Sequence, residues 1–187
     1  MKFSFASLAL AALLGIASLQ AASAQTKEKT VMVGGAAMYP SKNIIENAVN
    51  SKDHTTLVAA VKAAGLVETL SGPGPFTVFA PTNEAFNALP AGTVETLVKP
   101  ENKAMLTKIL TYHVVAGRMT AADLMQAIKA GGGKATLKTV QGETLTAMMK
   151  GKKIELKDEK GGIATVTIPD VMQSNGVIHV VDKVLMP

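Results

Sequence analysis

Three histidines, scattered serines and one glycine-rich segment are the residues of this sequence with types that could do chemistry. A hydrolytic triad needs a nucleophile, a base and an orienting acid. No Gly-x-Ser-x-Gly segment presents a serine, however, and Ser71 and Ser174 lie in turn-like segments. The segment Gly131-Gly132-Gly133-Lys134 has Ile128 and Ala135 where a phosphate-binding loop needs glycine and Ser or Thr. The sequence therefore predicts a protein that is not an enzyme, and a hydrolase is the least supported option.

Metal and cofactor chemistry has equally little support in the spacing of residues. His54, His113 and His179 are far apart, and the absence of cysteine excludes disulfides, Cys-ligated zinc and iron-sulfur clusters. Two of these histidines, His113 and His179, lie on apolar faces, where a histidine usually bonds a buried polar group. Of the ten methionines only Met148 and Met149 are adjacent, which favours core filling. We expect structural histidines, no metal and no cofactor.

The N-terminus has the three parts of a secretory signal peptide. Met1-Lys2 is basic, residues 3–19 are apolar, and Ala22-Ser23-Ala24 is a small-x-small cleavage site. Cleavage before Gln25 leaves 163 residues with a net charge of +4, a length that suits one domain. No later segment approaches the ~20 apolar residues of a membrane-spanning helix. The sequence predicts a secreted or periplasmic protein without a transmembrane segment in its mature form.

The chain divides into three predicted regions. Residues 1–24 are the signal peptide, residues 25–36 a flexible N-terminal segment and residues 37–187 a single domain. Acidic residues accompany the lysines of residues 150–160, which is typical of an ordinary solvated surface. We therefore expect no nucleic-acid partner, because nucleic-acid binding needs clustered basic residues.

The elements that must position the candidate residues begin with helices. Residues 43–49 predict a short helix opened by Ser41, and residues 101–115 predict a longer helix, with His113 on its apolar face. Between these two helices, Gly65 is the predicted left-handed stop of one further helix, and Thr82 is the predicted N-cap of another. Thr120 and Asp123 resemble the capping box of a last helix.

Strand patterns dominate the last third of the chain. After the Gly-Pro turn at residues 71–75, residues 76–79 predict a strand, and residues 177–181 predict a central strand that is apolar on both faces. Residues 135–140, 144–149, 153–157 and 163–168 predict an antiparallel meander. Residues 153–157 alternate strictly, so we expect one wet face and one dry face. Helices followed by strands predict an α+β domain.

Three segments in order resemble the fasciclin domain family. Phe76-Thr77-Val78-Phe79-Ala80-Pro81-Thr82-Asn83-Glu84-Ala85-Phe86 resembles its first signature segment, Tyr112-His113-Val114-Val115 resembles its Tyr-His segment, and Asn175-Gly176-Val177-Ile178-His179-Val180-Val181-Asp182-Lys183-Val184-Leu185-Met186-Pro187 resembles the second signature. The resemblance covers about residues 39–187 and implies a wedge of antiparallel β-sheet with helices packed around it. It implies no catalytic residues. Asp170-Val171 replaces the Asp-Ile of adhesive animal members, which weakens any transfer of integrin binding.

We expect most residues of these segments to serve the fold. The residues expected to be structural are Phe76, Thr77, Phe79, Ala80, Pro81, Thr82, Asn83, Phe86, His113, Asn175, Gly176, His179 and Asp182. Tyr112, with His113, is the candidate partner-contact residue, because tyrosine combines a large ring with a free hydroxyl. The other interpretation is that Tyr112 packs on Lys108 and Met105 of its own helix.

The resemblance implies an exported, single-domain binding or adhesion module. Its expected partner is a protein or polysaccharide of the cell envelope, the matrix or a host surface, and the module is expected to be a monomer. The alternative is a periplasmic carrier of a small apolar or haem-like ligand, since His and Met are possible ligands.

Overall fold

The computed structural model describes residues 28–187, so the predicted signal peptide and residues 25–27 lie outside the described residues. The helices are α1 (Ile44–Ala48), α2 (Thr55–Ala64), α3 (Val67–Ser71), α4 (Asn83–Asn87), α5 (Thr93–Leu97), α6 (Lys103–Tyr112) and α7 (Ala121–Ala130), with 3₁₀ turns at Lys52–His54 and Pro100–Asn102. The strands are β1 (Val31–Val33), β2 (Ala36–Met38), β3 (Phe76–Pro81), β4 (Val114–Ala116), β5 (Lys134–Lys138), β6 (Thr144–Lys150), β7 (Lys153–Lys157), β8 (Ile163–Gln173) and β9 (Gly176–Val181). The predicted α+β class is confirmed.

A seven-stranded sheet in the order β4-β3-β9-β8-β7-β6-β5 organises the domain. The two signature strands, β3 and β9, pair in parallel from Phe76↔Gly176 to Pro81↔Val181. The other strand pairs of this sheet are antiparallel, including the predicted meander β5 to β8. Because β3 and β9 both have neighbours on each side, their strongly apolar sequences are buried on both faces.

Alternate side chains of β3 and β9 enter two separate cores. Val78 and Val180 belong to the first core, which the N-terminal helices and α6 cover. Phe79 and Val181 point to the opposite face and belong to the second core, against which α7 packs. The meander places the small and aliphatic residues of one face in this second core. Its opposite face carries exposed lysines and half-buried threonines.

Side-chain caps open three of the seven helices, α1, α4 and α7. Asn43 caps α1 in a reciprocal capping box with Glu46, so the predicted cap at Ser41 was wrong. The predicted capping box of Thr120 and Asp123 at α7 is confirmed. Gly65 ends α2 with a left-handed φ of 74°, as predicted.

Tertiary pairing overrides two predicted boundaries. Helix α6 ends at Tyr112 and not at residue 115, because Val114 and Val115 pair with β3 as strand β4. Strand β8 runs past residue 168 to Gln173, with two register shifts in its pairing with β9. Irregular strands of this kind lack a clean period of two, so the sequence pattern did not show the extension.

Some residues that the sequence predicted to be flexible or exposed to solvent are buried in the structure. Strands β1 and β2 form a hairpin that buries Val33 and Met38 in the first core, so the predicted flexible segment 25–36 was wrong for its strand residues. Glu155, predicted on the wet face of β7, is only 7% exposed. Met148 and Thr165 flank it across the neighbouring strands, and Lys150 Nζ lies 3.2 Å from its carboxylate.

Within residues 28–187, no helix has the length and apolar character needed to cross a membrane.

The parallel pairing of β3 and β9 leaves no room for a side chain at residue 176. A Cβ added at Gly176 would overlap the carbonyl oxygen of Phe76, so Gly176→Ala should lower the free energy of unfolding by about 2 kcal/mol or more. Urea denaturation followed by circular dichroism measures this change. Gly72→Ala is the control, since its Cβ comes no closer than 3.3 Å to a backbone oxygen and should change stability by less than about 1 kcal/mol. Equal effects of the two substitutions would contradict the close approach at residue 176.

Candidate functional site: buried signature residues and the surface around them

Tyr112 lies in the second core, where no part of it reaches the surface. Its side chain is 0% exposed, its hydroxyl donates to Thr144 O at 2.8 Å, and the same oxygen accepts the N–H of Glu159 at 3.3 Å. Burial is the main cause that raises the pKa of Tyr112 to about 12. The end of α6 is thereby fixed to β6 and to the turn after β7. Burial leaves Tyr112 no surface for direct partner contact, contrary to the expectation from its residue type.

His113 is buried beside it and ties the C-terminal segment to the fold. It is 2% exposed, its Nδ1 lies 2.8 Å from Ile109 O, and its Nε2 accepts the N–H of Leu185 at 3.0 Å. Since Nε2 accepts, the ring is neutral with its proton on Nδ1. Burial lowers the pKa of His113 to about 4. Like Tyr112, His113 has no surface with which to contact a partner.

His179, on β9, is also a buried ring whose two nitrogens bond backbone groups of other segments. Its ring stacks on Phe79 with centroids 5.7 Å apart. Its Nδ1 accepts the N–H of Asp170 at 3.3 Å, and its Nε2 donates to Met119 O at 2.8 Å. Burial lowers the pKa of His179. This neutral ring connects the central strand to the loop before α7.

Asp170 is the residue with the most unusual backbone conformation. Its φ of 56° is the one positive value at a non-glycine position among the described residues. Its carboxylate accepts the N–H of Ala121 at 2.7 Å, which satisfies a free donor in the first turn of α7. The unusual conformation therefore has a structural cause in this chain, because it directs both the N–H and the carboxylate of Asp170 inward.

The two signature asparagines each join three backbone segments. Asn175 accepts the N–H of Ile44 at 3.0 Å and donates to Leu70 O and Gly72 O at 2.8 and 2.9 Å. Asn83 donates to Lys52 O at 2.7 Å and accepts the N–H of Thr56 at 3.0 Å. These bonds fix the N-terminal helices against the start of β9 and the end of β3.

The other signature residues also have partners inside the fold. Thr82 caps α4 by accepting the N–H of Ala85, and Thr77 Oγ donates to Gly117 O at 2.7 Å. Asp182 accepts the N–H of Thr165 at 2.7 Å. The remaining signature residues are buried or partly buried side chains of the two cores and of β3 and β9: Phe76, Ala80, Pro81, Phe86 and Gly176.

A groove of about 500 Å³ opens beside Asp170. Lys29, Arg118 and Met172 line it together with the end of β8. Arg118 donates to Gln173 O at 3.1 Å and to Ser174 O at 3.3 Å. These bonds use Nη2 of Arg118, and Asp170 uses Oδ1 for Ala121 N–H. Sequence reasoning missed this groove, since its walls come from four separate segments.

An internal cavity of about 40 Å³ lies between the N-terminal helices and the central strands. Its wall is apolar except for Ser51 and the rings of His54 and His113. His54 Nδ1 lies 2.9 Å from Ser51 Oγ, whereas its Nε2 is buried without a hydrogen-bond partner. Pockets that hold drug-sized ligands have volumes of about 300–1,000 Å³. A cavity of this size has room for one or a few water-sized molecules.

The described residues contain no group of three His, Asp or Glu side chains positioned to hold a metal ion.

One buried polar contact that sequence reasoning missed joins Asn47 to Gln173, linking α1 to the end of β8. Both side chains are at most 2% exposed. A buried amide pair of this kind has no local sequence signal, because its members are 126 residues apart.

These features define an α+β domain with two cores, in which the polar signature side chains bond the backbone of their own fold. The Fasciclin domain model matches residues 52–187, and the chain belongs to the fasciclin domain family. It is 49% identical to Protein sll1483 of Synechocystis sp. over 93% of this chain and 89% of that protein. It is 38% identical to the Immunogenic protein MPB70 of Mycobacterium bovis over 75% of this chain and 66% of that protein.

A solved structure shares the fold at low sequence identity. It is a FAS1 domain pair from the insect cell adhesion molecule Fasciclin I, with a TM-score of 0.71 and 18% identity. The match covers 80% of this chain and 52% of that one, so this chain spans about half of the domain pair.

Tyr112 should behave as a core residue in solution. Tyr112→Ala removes a fully buried ring and should lower the free energy of unfolding by about 3–5 kcal/mol. Tyr112→Phe keeps the ring and removes only the hydroxyl, so it should cost about 1–2 kcal/mol. Urea denaturation of both variants checks this order. An unchanged midpoint for Tyr112→Ala would place the ring outside the core.

The buried histidines should make the protein sensitive to acid. The pKa of His113 falls from 6.5 to about 4 on folding, so the unfolded chain binds more protons between these pH values. Stability is therefore fully present above about pH 6.5 and decreases as the pH falls toward 4, by about 3 kcal/mol from this residue. His113→Gln should be less stable at pH 7 but should lose less on acidification. Met125→Gln, on the exposed face of α7, is the control and should keep the parental pH dependence. An NMR titration midpoint of His113 near 6.5 would contradict this account.

Proposed function

We propose that the chain is an exported binding module that contacts a protein or polysaccharide of the cell envelope, the matrix or a host surface. The observation that carries this proposal is the match of residues 52–187 to the fasciclin domain, together with a structural neighbour that is an insect cell adhesion molecule. The inward bonding of the signature side chains agrees with this function. It assigns them to folding and leaves recognition to residues on the surface.

Export and a mature form that begins at Gln25 are part of the same proposal. They rest on the signal-peptide pattern of residues 1–24 and its Ala22-Ser23-Ala24 site. The module acts as a monomer and by non-covalent contact, with no turnover of a substrate. The alternative is a carrier of a haem-like or apolar ligand, and the internal cavity of about 40 Å³ has no room for such a ligand.

Binding to isolated envelopes tests this function directly. Labelled mature protein, residues 25–187, should bind envelope fragments of its host saturably, and an excess of unlabelled protein should displace it. Heat-unfolded protein should not compete, because recognition depends on the folded surface. Tyr112→Phe should bind as the parent does, since its hydroxyl is buried.

Pretreatment of the envelope distinguishes the two partner classes. Loss of binding after protease digestion identifies a protein, and loss after periodate oxidation identifies a polysaccharide. Binding that does not saturate would contradict the proposal. Reproducible turnover of an ester, glycoside or peptide substrate that one substitution abolishes would also contradict it.

A further inference from the structure

The outer face of the meander, opposite the second core, carries five lysines. The lysine face comprises Lys134 and Lys138 on β5, Lys150 on β6, and Lys153 and Lys157 on β7. Their neighbours on these strands, Ala135, Leu137, Ala147, Ile154 and Leu156, are buried in the second core, so the lysines point away from it. The lysine face therefore belongs to the solvent side of a regular sheet.

Strand register arranges these lysines as an array. Lys134 and Lys138 are about 13 Å apart along β5, as are Lys153 and Lys157 along β7, at about 3.3 Å per residue. Strand β6 separates β5 from β7, so the two pairs lie about 10 Å apart across the sheet. Between them, Thr136 and Thr146 lie in the row of Lys157, and Met148 and Glu155 lie in the row of Lys134.

The acidic residues that accompany these lysines in sequence are bonded to other groups of the fold or to Lys150. Glu155 is covered and paired with Lys150 at 3.2 Å. Asp158 is 6% exposed and accepts the N–H groups of Gly162 and Met186 at 2.6 and 3.0 Å. Glu159 accepts from the N–H and hydroxyl of Thr144. Of the lysines in residues 150–160, Lys150 has an acidic neighbour in Glu155, whereas Lys153 and Lys157 have no acid within ion-pair distance among the described residues.

This arrangement leaves a strong local charge. Among residues 28–187 the ion pairs are Lys108–Glu143 and Lys150–Glu155, so Lys134, Lys138, Lys153 and Lys157 have no acidic partner within ion-pair distance. With Glu155 included, the lysine face carries four of the five net positive charges of the whole chain. The rest of the protein is close to neutral.

We propose that the lysine face binds an anionic polysaccharide, a glycan chain that carries uronate or sulfate groups. This inference rests on the proposed function and names the partner class for one surface of it. Regularly spaced ammonium groups complement an extended polyanion, and the threonine hydroxyls between them can bond its sugar hydroxyls.

Two other polyanionic partners fit the lysine face less well. Single-stranded nucleic acid is held by bases that stack on aromatic rings, and the chain has no aromatic residue after Tyr112. Peripheral membrane binding uses inserted apolar side chains next to the basic residues. On the meander strands, all of which lie within the described residues, Ile163 at 40% exposure is the one exposed large apolar residue.

Alginate, a uronate polymer, is the test probe, and dextran is its uncharged counterpart. The mature protein should bind alginate with an affinity that falls steeply as salt increases, and it should not bind dextran. A variant with Lys134→Gln, Lys138→Gln, Lys153→Gln and Lys157→Gln should bind alginate at least about 100-fold more weakly. The matched control changes Lys62, Lys99, Lys103 and Lys129 to Gln, four exposed lysines outside the lysine face. It has the same net charge and should bind within about 3-fold of the parent.

Further arms of the experiment keep the result interpretable. Arginine at the same four positions of the lysine face should retain binding within about 3-fold. This result would assign the weaker binding of the glutamine variant to its lost charge and not to a loss of folding. Equal losses in the glutamine variant and its control would overturn the proposal, as would no alginate binding. Tighter binding to oligo(dT) or to phosphatidylglycerol vesicles would overturn it in favour of those partners. Saturable envelope binding that persists in the glutamine variant would show that the lysine face is not the binding surface, and the proposed function would still hold.

Discussion

The parallel contact between β3 and β9 is the constraint on which the rest of the structure depends. Both strands are apolar on both faces, so neither can lie at the edge of the sheet or against water. Their pairing separates the two cores, since Val78 and Val180 point to one face and Phe79 and Val181 to the other. Each group of helices then has one apolar surface to cover. The close approach of the two backbones at Gly176 fixes the register of this arrangement.

Polar residues of the signatures solve a second problem that this pairing creates. Strands and helix ends that meet in an interior leave backbone N–H and C=O groups without water. Asn175, His113 and His179 bond such groups in α3, in the C-terminal segment and in the loop before α7, and the two histidines do so as neutral rings. Neutral histidine is available only above its own pKa, so the same bonds that complete the fold also make its stability depend on pH. The hydrogen-bonding capacity of these residues is thus used within the fold.

Local signals in the sequence predicted much of the fold but little of its surface. The caps at Thr82 and Thr120, the stop at Gly65 and the strands of the meander depend on neighbouring residues, and the structure confirms them. The end of α6 and the burial of Tyr112 depend on pairing with segments that are distant in the chain, which periodicity does not encode. The groove beside Asp170 was missed for the same reason, because its walls meet only after folding.

The lysine face shows why charge has to be judged after folding. In the sequence, Asp158 and Glu159 follow the lysines of β7 directly, and a local count gives a balanced surface. The turn after β7 uses both carboxylates for backbone hydrogen bonds, one of them buried. The acids therefore serve the fold, whereas Lys153 and Lys157 have no partner within ion-pair distance among residues 28–187. The charged side chains of the lysine face have no role in packing the second core beneath it. In this domain, the separation of buried residues from surface residues follows from the pleat of the meander strands, which sends one set of side chains inward and the other to solvent.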